Sequence, residues 1–501
     1  MKIKWKILIF LILFIMILAI IFPKPIRNLD EIWNFNFAKN IADGKLPYKD
    51  FNMVQLPLLH YVAAIFLTIF GTELIVMRLL GGLLCAAILF MVFQILILLK
   101  VNKSFSWITV LGIYLLFFDY FCFDYNYGTL LVTLIVLYFE LKRVMNGKEI
   151  FYFNLKTDLL MGILIGSTII MKQTTGLFIC VIFILHKLLL AKSKEDFKSV
   201  LKIIAARGAG VIIPALLFIL YLIINNIWAD FINYAILGIA TFSNYIPYMN
   251  LLKDEKFIIK VLSMVAPITI LIMYYISIVK QPNNKEKQAI FILFCYSIAT
   301  FIIAFPISDQ IHLLIAILPT IISIIYLIWQ LCIWKKPKIK NKIILYFREF
   351  FKVLCVVSAL VILCYYSYLL CISINKSKVY TDLEHFKFVE PFGGIYQVRD
   401  YILEQKEKGN TVYILDSAAA VYMIPSNNYN KDYDMFLKGN IGNTTEEEQI
   451  EKLKQMDSLV IILILNPGND RNWQNPHKVT DYIIKEWNKT GEVFTFDIYE
   501  K

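Results

Sequence analysis

The sequence is poor in charge. Asp, Glu, Lys and Arg make up 18% of its 501 residues, against 59% hydrophobic and 15% aromatic. Mean hydropathy is +0.65. Soluble domains carry about a quarter charged residues, so a soluble globular enzyme is excluded. Histidine is scarce, with five copies. The eight cysteines run from Cys85 to Cys371, all in or beside apolar stretches and none in a CxxC pair. That argues against a disulfide framework and a thiolate zinc site. The outer acids Asp119, Asp124 and Asp309 form no D-x-D, and residues 375–501 contain neither G-x-G-x-x-G nor a P-loop. No internal repeat is evident.

What the chain does have is long apolar runs. Several reach the roughly 20 residues needed to cross a bilayer. The formal charge of +12 would suggest nucleic acid in a soluble protein. Here most Lys and Arg sit in short loops between apolar runs, where they read as topology signals. The first run, after MKIKWK, resembles a signal peptide but is long and lacks a small-residue cleavage site; it reads as a retained span. Lys2, Lys4 and Lys6 then place its start in the cytoplasm and Asp30 outside. The short apolar segment 55–70 reads as lying in the outer interface. Spans over 74–99, 105–121, 127–141, 157–171, 174–190, 203–226, 258–279, 288–305, 311–333 and 350–373 follow. The expectation is a polytopic α-helical protein of the bacterial cell membrane with about eleven spans, its N-terminus cytoplasmic.

Residues 375–501 differ in kind. TVYILD (411–416), LVIILIL (459–465) and EVFTFDIY (492–499) read as strands. Stretches 395–408, 444–456 and 477–489 read as helices. The expectation is two domains, a membrane domain over 1–374 with a first outer loop at 23–73, and an extracytoplasmic α/β domain over 375–501.

This threading collects unusual polar residues on one face of the membrane. Asp30 and Glu31 follow the first span, and Asp119 and Asp124 lie in FFDYFCFDYNYG. Lys172 and Gln173 sit in the turn MKQTTG, and Asp309 and His312 in PISDQIH. Ionisable groups at span ends are usually solvated; their clustering is what points to function. Between 32 and 43 a helical pattern puts Asn36, Asn40 and Asp43 on one face and Trp33, Phe37 and Ile41 on another. It reads as an amphipathic helix on the outer leaflet, stopped by Gly44 and Pro47.

The ordered set of a first span, an outer Asp-Glu, the stretch DEIWNFNFAKNIADGKLPYKDF, then LPLLHY, GILIGSTIIMKQTTGLF and FPISDQIHLLIAILP resembles the GT-C superfamily of integral membrane glycosyltransferases. The similarity is to the glycosyltransferase family 39-like branch of protein O-mannosyltransferases and the lipid A aminoarabinose transferase. It covers residues 1 to about 335. The resemblance implies transfer of a sugar from a polyprenyl-phosphate-linked donor to an acceptor hydroxyl outside the membrane, with inversion. It implies Asp30 as general base, with Glu31 orienting it. Lys172, His312 and Arg78 would face the donor phosphate, and Asp124, Tyr61 and Gln173 the sugar or acceptor. No metal or other cofactor is implied, and the partners are the lipid-linked sugar and a glycan, lipid or protein acceptor. The chain departs from the pattern at Gln55, where the branch often has Lys, and at Asp309 and His312, where basic residues are common. A lipid-carrier transporter, a polysaccharide polymerase or a non-catalytic scaffold are the alternatives the residues leave open.

Overall fold

The computed structural model describes residues 2–26, 29–241, 246–279, 284–334, 383–390, 393–456, 459–465 and 475–501, with isolated positions between 346 and 368. The expected span at 350–373 lies outside the described residues apart from those positions. The helices run α1 Ile3–Ile21, α2 Leu29–Ala42, α3 Leu58–Phe70, α4 Leu74–Leu98, α5 Lys103–Leu116, α6 Tyr125–Met145, α7 Leu155–Ser167, α8 Gln173–Leu185 and α9 Lys194–Ile224. A short α10, Trp228–Phe231, precedes α11 Phe257–Tyr274, α12 Lys285–Phe301, α13 Gln310–Ala316 and α14 Leu318–Trp334. Among the described residues six helices are long and apolar enough to cross a membrane, or seven if α13 and α14, bent by 53°, form one span.

Local chemistry starts these helices. Asn102, Asp124, Asn154, Asn284 and Asp309 each accept a backbone N–H of the turn that follows, satisfying donors a helix start leaves unpaired. At the α13–α14 break Pro319 has no N–H to give. The Thr300 hydroxyl donates to the Ala316 carbonyl there at 2.7 Å, which keeps a buried polar group paired.

The chain divides into two compact units. The first holds residues 1–21, 81–217 and 245–375. Within it, Gly162 and Gly166 of GILIG lie against the backbone of Arg207, Gly210 and Val211, so a Cβ at either would collide. Small residues one turn apart let α7 and α9 approach this closely. At one end of this unit five charged residues pair with one another, four of them buried and Arg143 partly exposed. The Arg207 guanidinium binds both Glu140 and Asp158, Arg143 grips Asp158 at 2.8 and 3.2 Å, and Lys187 reaches Glu140 at 3.2 Å. Arg143 and Lys187 read in sequence as solvated topology signals. Both instead neutralise acids on neighbouring helices.

The second unit holds residues 22–80, 218–244 and 376–501. Its tail forms β1 Thr411–Ile414, β2 Val460–Leu465, β3 Asn488–Val493 and β4 Phe496–Glu500 in the order β1-β2-β4-β3. β1 and β2 are parallel, with Val412 opposite Ile461; β4 is antiparallel to β2, with Tyr499 opposite Ile462. Helices α15 Ile395–Glu407, α16 Ala419–Met423, α17 Glu446–Gln455 and α18 His477–Glu486 accompany the sheet. Leu453, Ile462, Ile464, Val479 and Ile483 fill the core. A capping box between Thr445 and Glu448 opens α17. The single strand expected over 492–499 is a hairpin, and the helix expected to reach 489 ends at Glu486. The reversal falls at Phe494, whose φ is 54°, a value that sequence reading does not expect of phenylalanine.

The tail thus shares one compact unit with residues 22–80 and 218–244. α2 also differs from the pattern reading. Its apolar residues Ile32, Phe35 and Phe37 are buried, but so are Asn34, Asn36, Lys39 and Asn40. The tail reaches both faces: Trp33, from the face expected to be apolar, donates to the Ser417 carbonyl at 2.8 Å, and Asn36, from the face expected to be wet, donates to Asp434 at 3.3 Å.

Candidate functional site

In the second unit, Asp30 and Glu31 occupy the first turn of α2. The partial positive charge of a helix N-terminus favours carboxylates there. Their environments diverge. Glu31 is 6% exposed and receives both arms of Arg78, Nε at 2.8 Å and Nη2 at 2.9 Å. The remaining Arg78 nitrogen, Nη1, donates to the Phe22 and Lys24 carbonyls at 3.1 and 2.5 Å. Arg78 was expected to meet a phosphate. Its guanidinium is instead engaged on every nitrogen, and it locks Glu31 and the end of the preceding segment in place. Asp30, one residue earlier, is half-buried, and its carbonyl accepts the Asn34 side chain at 2.7 Å. Asn34 in turn meets His60 Nε2 at 2.7 Å. Thus α3 braces the turn that carries Asp30. Tyr61, also on α3, shares a 2.7 Å hydrogen bond with the Tyr221 hydroxyl.

In the first unit, Lys172 is the N-cap residue of α8 and donates to Asn126 Oδ1 at 2.9 Å. Its ammonium also lies over the Tyr125 ring, 5.4 Å from the centroid. The Asp124 carboxylate accepts the Asn126 N–H at 2.7 Å and is 2% exposed. Lys172 and Asp124 therefore meet through Asn126, a residue the sequence did not single out. Gln173 follows Lys172 as the first residue of α8. Gly176 makes this turn possible, because a Cβ there would strike the backbone of Thr168 and Ile169.

His312 sits one turn into α13 and pairs through Nδ1 with Asp309 at 2.8 Å. Burial pushes the Asp309 carboxyl up, but the His312 contact outweighs it and the net shift is downward. The same end of this unit carries a hydrogen-bonded frame that sequence reading missed. Tyr120 donates to Gln310 Oε1, and Gln310 Nε2 donates to both Asp254 oxygens at 3.1 and 2.9 Å. Lys256 reaches the Tyr120 hydroxyl at 3.3 Å and Asp119 at 3.7 Å. Partners 56 and 190 residues apart leave no local signal. Among the described residues no three His, Cys, Asp or Glu side chains gather as a metal site would require.

The sequence-predicted residues thus fall into two sets. Asp30, Glu31, Arg78 and Tyr61 belong to the second unit, and Lys172, Gln173, Asp124 and His312 to the first.

No protein-family model matches the chain, and no curated protein matches it. Among solved structures it is similar to ArnT from Cupriavidus metallidurans bound to undecaprenyl phosphate, with a TM-score of 0.54. The likeness spans 99% of this chain and 98% of that one at 10% identity. At that identity it establishes the fold alone: the chain is built like ArnT.

Proposed function

We propose that this protein transfers a sugar from a polyprenyl-phosphate-linked donor to an acceptor hydroxyl on the extracytoplasmic face of the membrane. The fold supplies the class, since a GT-C architecture matches over nearly the whole chain. Fold alone does not carry chemistry. The carrying observation is the divided acid pair: Arg78 binds Glu31 on both oxygens, while Asp30 stands half-buried at the same helix N-terminus.

The division assigns roles. Asp30 takes the proton from the acceptor hydroxyl as that oxygen attacks the anomeric carbon, and direct displacement inverts the centre. Glu31, held by Arg78, positions the turn; Arg78 passes from phosphate contact to positioning residue. The leaving group is a phosphate that departs as a stable anion, so no general acid is required. Cationic charge nearby favours its departure. Lys172 is assigned that part and His312 a secondary one. Asp124, Gln173 and Tyr61 are assigned to sugar or acceptor. No metal has a part in this scheme. The transporter alternative draws on the buried charges of the first unit, but those charges pair with one another, which suits a structural clasp better than an ion path.

The test is binding of polyprenyl phosphate to the purified protein, wild type against Lys172→Ala, followed by turnover with Asp30→Asn. Saturable binding weakened by Lys172→Ala is expected, as is a loss of about 10²- to 10⁴-fold in turnover with Asp30→Asn at normal protein yield. Binding no greater than that of an unrelated membrane protein would sink the reading.

A further inference from the structure

At the loop end of the first unit, the Tyr120–Gln310–Asp254 frame borders an open cavity of about 480 Å³. Three connections meet there: the loop between α5 and α6, the segment 246–254 before α11, and the turn into α13. A pair of backbone bonds fixes the second to the third, Ile246 N–H to the Pro306 carbonyl at 3.2 Å and Ser308 N–H to the Ile246 carbonyl at 3.0 Å. The volume lies within the range of small-ligand sites, roughly 300–1,000 Å³.

The lining states what would fit. Asn250, Asp254, Ser308, Asp309 and Gln310 offer hydrogen-bonding groups of both kinds, and Tyr120, Ile246, Leu251 and Ile311 add apolar surface. Neither Lys nor Arg lines it. Lys256 is paired with Asp119, and the His312 ring is hydrogen-bonded to Asp309. The lining itself carries two carboxylates, Asp254 and Asp309, and no basic side chain, which disfavours a lipid phosphate or a phosphosugar. It also lacks the deep apolar pockets or free strand edge that bind peptides. A ligand with many neutral hydroxyls and one apolar C–H face meets all these conditions. That is the chemistry of a neutral carbohydrate.

We infer that this cavity is a carbohydrate-binding site, framed by Tyr120, Asp254 and Gln310 and entered past Asn250, and that the acceptor is a neutral glycan. The word acceptor rests on the function proposed above; the binding does not. Gln310 is the rigid element, because both ends of its amide are held. Asn250 is exposed, so it can be changed without disturbing the fold.

The experiment is ligand-observed NMR on the full chain in lipid nanodiscs. The probes are neutral di- and trisaccharides of hexose and N-acetylhexosamine units, with polyprenyl phosphate measured in parallel. Saturable binding of at least one oligosaccharide is expected. Asn250→Trp, which fills the entrance, and Gln310→Ala, which dissolves the frame, are each expected to weaken it by about 10-fold or more, with polyprenyl phosphate binding unchanged. No oligosaccharide binding up to the solubility limit would overturn the inference. So would oligosaccharide binding that both variants leave intact, or its displacement by inorganic phosphate or by peptides rich in Ser and Thr. If only oligosaccharide binding fails, this inference falls and the transferase reading stands; if only polyprenyl phosphate binding fails, the reverse holds.

Discussion

The two ends of the first unit handle charge in opposite ways. At one, Glu140, Arg143, Asp158, Lys187 and Arg207 bind one another, all but Arg143 buried. At the other, Asp119, Tyr120, Asp254, Lys256, Asp309 and Gln310 are linked as closely but border an open cavity. The first end uses charge to hold helices together. The second uses linked side chains to hold open a space. A polar residue in a membrane bundle is therefore not evidence of a site until its partners are known. The acid pair on α2 repeats the contrast over two adjacent residues, with Glu31 bound by Arg78 and Asp30 half-buried beside it.

The contrast is most easily broken at Arg207. Its guanidinium compensates two buried carboxylates at once, so Arg207→Met leaves Glu140 and Asp158 short of positive charge. A loss of about 3–5 kcal/mol is expected, read as a collapse of thermal stability in detergent. Gln310→Ala at the other end should cost no more than about 1 kcal/mol; equal losses at the two ends would abolish the distinction.

A sharper case lies in the second unit. Asp434 is 2% exposed and has Asn36 rather than a guanidinium as its partner. Burial lifts its carboxyl from an ordinary 3.8 to about 8. The folded protein then keeps a proton up to about pH 8 that the unfolded chain releases near 3.8. Stability should fall as pH rises through that window, by at most about 1.4 kcal/mol per pH unit. Asp434→Asn should flatten this slope, measured as melting temperature against pH. A variant as pH-sensitive as the wild type would show that Asp434 titrates normally.

A further effect is expected at Arg78. Arg78→Lys keeps the charge but loses the two-armed grip on Glu31, at a cost of about 2 kcal/mol. Melting temperature should drop modestly. If Glu31 only positions the turn, turnover should fall while polyprenyl phosphate affinity holds. A change in affinity instead would return Arg78 to the donor phosphate.

Most elements could be read from the sequence, because helix periodicity and short apolar runs are local signals. The helix over 395–408, the strands at 411 and 459 and the stop at Gly44 all follow from neighbours in the chain. The Asp30–Glu31 pair and Lys172 were visible as charges beside apolar runs. What pairs them was not. Arg78 lies 47 residues from Glu31, Lys172 lies 46 from Asn126, and Asn36 lies 398 from Asp434. Periodicity marked Asn36 and Asn40 as polar and so as wet; only the tail, folded over them, makes them buried. The cavity frame is silent for the same reason, since Tyr120 and Gln310 are ordinary residues until they meet.

The second unit is assembled from residues 22–80 and 376–501, with 218–244 between. During synthesis Trp33 and Asn36 leave the ribosome 384 and 398 residues before Ser417 and Asp434, their partners in the tail. Until then Trp33 and Asn36 lack these tail partners, and α2 rests on its packing against α3. The order of translation therefore delays completion of the second unit: a chain interrupted before residue 417 would carry α2 without the bonds the tail gives it.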